Sequence, residues 1–184
     1  MTLKFKYLPH NAILLHSIHL KAMKKYFYFL SFLVLLTSCT DDVKFNNPAF
    51  QTLKDNVFWR AQNHKAYISG NGNVIIEGYL GYEKITLTIA SPAVGTYVLG
   101  ADDISKGSYT NDLPGQETEF STGEGKGNGQ IIITEYNAEN KTISGTFKFT
   151  AINLNEDDTK NSKVSFTEGV FYKVPVTLST IFEN

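Results

Sequence analysis

The chain has 184 residues, 42% of them hydrophobic, with 17 basic and 18 acidic side chains and a single cysteine, a length that suits one domain with a sizeable core and excludes an internal disulfide. Residues 1 to 38 hold five of the basic residues and none of the acidic ones, so the remainder carries 12 against 18, a formal charge of −6. A surface of that sign repels phosphate backbones and argues against a nucleic-acid partner.

Residues 1 to 22 contain Lys4, Lys6, Lys21, three histidines and Pro9. They lengthen the positive region beyond what a secretory signal uses, and are read as a misassigned extension, with translation beginning at Met23. Residues 23 to 38 then give the parts of a signal peptide in order: Met23-Lys24-Lys25, an apolar run from Tyr26 to Leu36, and the small pair Thr37-Ser38 before Cys39. The run is too short to span a bilayer. Leu36-Thr37-Ser38-Cys39 resembles the lipobox of bacterial lipoproteins. The resemblance implies that the thiol of Cys39 takes diacylglycerol, that the bond between Ser38 and Cys39 is cut, and that palmitate-type acyl chains on Cys39 hold the protein to the membrane. Thr40-Asp41-Asp42 follows directly and is similar to the export signal that sends many Bacteroidota lipoproteins to the outer face of the outer membrane. Residues 39 to 55, polar and broken by Pro48, read as a flexible tether, and residues 56 to 184 as a single β-domain.

Within that domain, period-two patterns dominate. Ile85, Leu87 and Ile89 alternate with Thr86 and Thr88, and Ile143, Gly145, Phe147, Phe149 and Ala151 alternate with Ser144, Thr146, Lys148 and Thr150. Such alternation predicts half-buried strands. Similar segments run from Val74 to Leu80, Gly129 to Tyr136 and Lys163 to Tyr172. Weaker strands are expected at 57–61, 66–69, 96–99 and 118–121. Ser69-Gly70-Asn71-Gly72-Asn73 and Asn137-Ala138-Glu139-Asn140 supply hairpin turns, with Asn140 suited to the left-handed position. Eight or nine short antiparallel strands predict an all-β fold, a β-sandwich or a closed up-and-down barrel. The irregular stretch from Gly100 to Gly115 favours the sandwich, as a crossover between sheets.

The segment from Ile133 to Ala151, the run Val164 to Phe171 and the motif Gly95-Thr96-Tyr97-Val98-Leu99-Gly100 resemble the conserved parts of a family of uncharacterised lipoproteins common in Bacteroidota. That resemblance covers about Val57 to Val176. It implies a secreted all-β domain and transfers no catalytic residue.

Few residues invite chemistry. Only His64 among the histidines lies beyond the signal, in the polar stretch Gln62-Asn63-His64-Lys65, where a solvated imidazole is the ordinary expectation. Gly123-Glu124-Gly125-Lys126-Gly127-Asn128-Gly129 lacks the hydroxyl after the lysine that a phosphate loop needs and reads as a hairpin or bulge. If Glu117 and Glu119 lie on a strand they share a face, at about 6.5 Å between Cα atoms, near the spacing of a glycosidase pair, while an ordinary solvated face explains them as well. Asn155-Glu156-Asp157-Asp158 lacks calcium-loop spacing. Trp59, Tyr67, Tyr79, Tyr82, Tyr97 and Tyr109 include the residues from which a stacking platform for sugar rings would be built, with Trp59, Tyr79 and Tyr82 the chosen ligand-binding candidates. No catalytic residue, metal ligand or cofactor is assigned. The expectation is a lipid-anchored, non-catalytic module for a polysaccharide or protein ligand, with a carboxylate-based glycoside hydrolase and a carrier of small apolar ligands as alternatives.

Overall fold

The computed structural model describes residues 49–178, and the signal, Cys39 and most of the tether lie outside that range. The fold is all-β and predominantly antiparallel. Among the described residues eleven strands run in chain order: β1 Ala49–Lys54, β2 Val57–Arg60, β3 Asn63–Ile68, β4 Val74–Leu80, β5 Glu83–Ile89, β6 Gly95–Leu99, β7 Lys106–Asn111, β8 Thr118–Ser121, β9 Asn128–Asn137, β10 Thr142–Asn153 and β11 Lys163–Leu178. One turn of 3-10 helix, Thr159–Asn161, interrupts the β10–β11 connection.

The strands form one sheet in the order β2-β1-β11-β3-β4-β5-β7-β8-β10-β9-β6, with a further pairing between β10 and β11. That last pairing closes a ring of seven strands, from β11 through β3, β4, β5, β7, β8 and β10 back to β11. β1–β2 and β9–β6 extend outward from the two longest strands. Closure depends on length: β10 reaches β9 over Thr142 to Thr150 and then touches β8 only at Ile152 and Asn153. β11 pairs with β1 over Phe166 to Tyr172 and continues to pair with β3 at Val176 to Leu178, the parallel exception in the fold.

Two strands escaped sequence reading. β1 lies inside the stretch read as tether, hidden because its buried positions are Phe50 and the polar Thr52, with polar Gln51 between them. Its start at Ala49 corrects the tether's end for those residues. β7 lies inside the stretch read as an irregular crossover, hidden because its inward positions are Gly107 and Tyr109 rather than aliphatic residues. The crossover shrinks to residues 100–105, which carry the chain from the end of the sheet at β6 to its middle at β7. The β1–β2 turn is also new. Asp55 and Asn56 both take positive φ (47° and 66°) between the paired Lys54 and Val57, the two-residue geometry that matches strand twist. In the β9–β10 turn, Lys141 and not Asn140 takes the left-handed position, with φ of 50°, while the side chain of Asn137 accepts the amide of Asn140 at 2.8 Å.

The core is an aromatic chain set against glycines. Ring centroids of Phe50 and Phe147 lie 5.2 Å apart, Phe149 and Phe166 4.7 Å, and Tyr109 and Phe166 5.6 Å. Each of four rings lies over a glycine: Phe50 on Gly78, Phe149 on Gly107, Phe147 on Gly169 and Phe171 on Gly145. A methyl group at Gly78 would sit 2.7 Å from the Phe50 ring, so close approach of β1 to β4 requires the missing side chain. Isoleucines, leucines and valines of β4, β5, β9 and β11 fill the remaining interior.

Candidate functional site

The interior alternation of β5 ends on a charge. Ile85, Leu87 and Ile89 are fully buried, and Glu83, two residues earlier, continues the same face at the rim of the ring. β1 does likewise, with Phe50 and Thr52 buried and Lys54 following them. Lys54 and Glu83 form an ion pair. Two further donors converge on the same carboxylate: the Trp59 indole Nε1 at 2.5 Å and the Tyr109 hydroxyl at 2.6 Å. Lys54 Nζ also donates to the Tyr109 oxygen at 3.0 Å and sits 4.8 Å from the centroid of its ring.

The electrostatics follow from that geometry. Burial alone would raise the Glu83 carboxyl, but hydrogen bonds from Lys54, Tyr109 and Trp59 outweigh it and hold the group below its ordinary value of 4.5. Burial and donation to Glu83 push the Tyr109 hydroxyl strongly upward, which keeps it protonated. A phenol so held does not serve as a base or nucleophile near neutral pH. It orders the lysine.

Above this cluster opens a cleft of about 550 Å³, between the β7–β8 loop and the β10–β11 loop. Lys54, Tyr109, Phe120 and Val164 supply its inner wall, while Asn111, Gln116 and Glu117 are among its polar residues. A smaller cleft of about 400 Å³ adjoins it and shares Asn111, Glu117, Thr118 and Asp158. Both bounding loops are cross-braced by short polar side chains. Asn111 donates to the Gln116 carbonyl at 3.1 Å and accepts from the Leu113 amide at 3.2 Å. Across the cleft, buried Asn153 donates to the Asn161 carbonyl at 2.8 Å, and Asp158 accepts the Asn161 amide at 3.1 Å. Hydrogen bonds from the Asn161 side chain and backbone hold the Asp158 carboxyl below its ordinary range.

The ligand-binding candidates read from the sequence are dispersed. Trp59 is buried at 3% exposure, with its nitrogen spent on Glu83, so it offers no open face for stacking and enters the cleft cluster only from behind. Tyr79 lies on the outward face of β4, where its hydroxyl donates to Glu77 at 2.6 Å and Lys65 Nζ lies 5.5 Å from its ring centroid. Tyr82 is exposed at 59% in the turn between β4 and β5. Of the other aromatics, Tyr109 is buried and the Tyr97 hydroxyl is tied to the carbonyls of Ser91 and Ala93. Tyr67 shares Lys65 with Tyr79, the Nζ lying 5.7 Å from its ring centroid, while buried Trp59 and Tyr109 take no part in that outward pair.

Other expectations resolve more simply. Glu117 and Glu119 both line the smaller cleft, and Glu117 alone also lines the larger one, its Oε2 accepting the Gly115 amide at 3.0 Å. His64 sits in β3, half-buried, with Nδ1 unpartnered; burial and nearby Arg60 lower its pKa. It lines neither cleft. Gly123 to Lys126 closes a tight turn through reciprocal backbone bonds of 2.9 Å, as the hairpin reading expected. Among the described residues no three His, Cys, Asp or Glu side chains converge as metal ligands would.

Lys54, Glu83 and Asn111 were missed at the sequence level. Their signal was parity: each continues an inward alternation past the last apolar residue, where a polar side chain is tolerated only at an opening.

Comparison with known proteins adds two matches. Residues 46–175 match the family described as Domain of unknown function (DUF6252), and residues 23–40 match the Prokaryotic membrane lipoprotein lipid attachment site, a span that includes Cys39. No curated protein and no solved structure matches the chain.

Proposed function

This chain belongs to the DUF6252 family and is a lipid-anchored envelope protein, and from that premise we propose that its β-domain is a non-catalytic module binding a polysaccharide in the cleft above Lys54 and Tyr109. The carrying observation is the lining of that cleft. Its volume falls within the range of small-ligand sites, and its amide, hydroxyl and carboxylate groups suit a hydroxyl-rich ligand. The interior that an apolar carrier would leave hollow is filled by the rings of Phe50, Phe147, Phe149, Phe166 and Phe171. Lys54 is held at the wall by Glu83, so the site presents a fixed donor beside neutral amides. The absence of a readable nucleophile–base pair in the cleft favours binding over turnover.

In this reading Cys39 is diacylated and cut from Ser38, and Thr40-Asp41-Asp42 directs the protein to the outer membrane with the domain facing outward. Protease shaving of intact cells tests the placement. Survival of the domain while a known surface protein is stripped would move it to the inner leaflet.

The ligand test is a glycan array followed by titration of any retained glycan against Gln116→Ala, a change at an exposed rim residue. Binding at least about ten-fold weaker, roughly 1.4 kcal/mol, is expected. Unchanged binding would clear the cleft of this role. A hydrolase remains the second reading because Glu117 and Glu119 line the same smaller cleft. Glycan turnover that disappears in Glu117→Gln would replace the first reading with the second.

A further inference from the structure

Strand β6 ends the sheet. It pairs with β9 from Gly95 opposite Ile133 to Leu99 opposite Gly129, and among the described residues no strand lies on its other side. Among the described residues, no backbone hydrogen bond outside the β9 ladder involves residues 95–99. A free row of alternating N–H and C=O groups is a template for another extended strand, and natural sheets blunt such edges with lysine, proline, a bulge or very short length. β6 has none of these within it. From Ala90 to Ala101 the chain carries no charge, and Val94 and Val98 are exposed at 68% and 58%. β2, at the opposite end of the sheet order, is only four residues long and ends on Arg60.

The β6 edge is also held at both ends. The Tyr97 hydroxyl bonds to the carbonyls of Ser91 and Ala93, each at 2.9 Å, which folds the preceding turn back onto the strand. Beyond Leu99, the Gly100 carbonyl accepts the Gly125 amide at 3.1 Å. Pairing would therefore order little that is not already ordered, which lowers its entropic cost.

We propose that β6 is the edge through which two copies of this chain pair, antiparallel and twofold symmetric about Tyr97. The occupant follows from self-complementarity. An antiparallel register centred on Tyr97 sets Thr96 of one copy opposite Val98 of the other on the outward face, a β-branched pair that suits a sheet. No like charges meet, because the strand has none. A twofold contact of this kind is isologous and closes at two copies, so it does not propagate into a fibre.

Sedimentation velocity on the full lipidated chain in mild detergent tests the pairing. The wild-type protein is expected to sediment as a concentration-dependent dimer, and Val98→Lys as a monomer or a dimer at least ten-fold weaker. Thr96→Lys is the second variant. Both positions are exposed, so an unchanged melting temperature separates lost pairing from lost folding. A double variant, Thr96→Cys with Val98→Cys, should oxidise to a disulfide-linked dimer with cross-links between positions 96 and 98. Wild-type protein that stays monomeric over the whole concentration range overturns the proposal. So does a dimer that survives Val98→Lys and dissociates in Phe58→Lys, which would assign the contact to β2.

Discussion

At the residue scale, Glu83 organises the mouth of the domain. Its carboxylate accepts from Trp59, Tyr109 and Lys54, so Glu83→Ala would leave three inward-facing donors without their acceptor. Bonds to a charged group are each worth about 1.5–3 kcal/mol, and water at the partly open rim replaces some of them, so a loss of about 2–3 kcal/mol is expected in urea melts. The pH dependence has a definite sign. A carboxyl whose folded value lies below the ordinary 4.5 contributes its stability above that value and loses it as pH falls through the depressed one. The stability gap between wild type and Glu83→Gln should therefore be widest near about pH 7 and narrow progressively as the solution is acidified below 4.5. A gap that stays constant over that range would show that the charge of Glu83 is not what its partners recognise.

At the scale of elements, strand β10 carries much of the fold, pairing with β9, β11 and β8. The sequence alternation placed Ile143, Phe147, Phe149 and Ala151 inward, and all four are buried while Lys148 is exposed. Phe147→Ala should accordingly cost about 3–5 kcal/mol, and Lys148→Ala under about 0.5 kcal/mol. Equal small effects would mean the strand is not half-buried. The glycine contacts make a complementary prediction about elements that never share a hydrogen bond. Gly78→Ala in β4 presses a methyl group onto the Phe50 ring of β1, and overpacking of that kind costs about 1–3 kcal/mol. Shortening the ring in the double variant Gly78→Ala with Phe50→Leu should recover part of the loss. A simple sum of the two single costs would show that the two strands do not press on each other.

At the scale of the whole molecule, the anchor and the domain answer to different physics. Attachment depends on acyl chains: a single chain binds a membrane only marginally, and each buried methylene adds about 0.8 kcal/mol, so two or three chains make attachment effectively permanent. Cys39→Ala should abolish acylation and processing, leaving an uncleaved protein that takes up no labelled acyl chain and keeps its apolar run Tyr26 to Leu36. A cleaved, detergent-phase product from that variant would refute the lipobox reading.

The sequence by itself determined what depends on neighbours along the chain. The attachment site is a contiguous string, and nine of the eleven strands declare themselves through period-two alternation or flanking turn residues, since both signals are local. β1 and β7 stayed hidden because their inward positions carry too few large aliphatic residues to mark the period. Only tertiary structure decided the rest. Whether Trp59 faces a ligand or the interior depends on which strand covers β2, and the answer is that Glu83 takes its nitrogen from the far side of the ring. The cleft exists because β10 and β11 are long enough to pair with β8 and β3 and so close the ring, bringing Lys54 of β1 to one opening with Tyr109 and Asn111 of β7. Strand pairing between residues far apart in the chain leaves no periodic trace in sequence, and for that reason the site had to be read from the folded sheet.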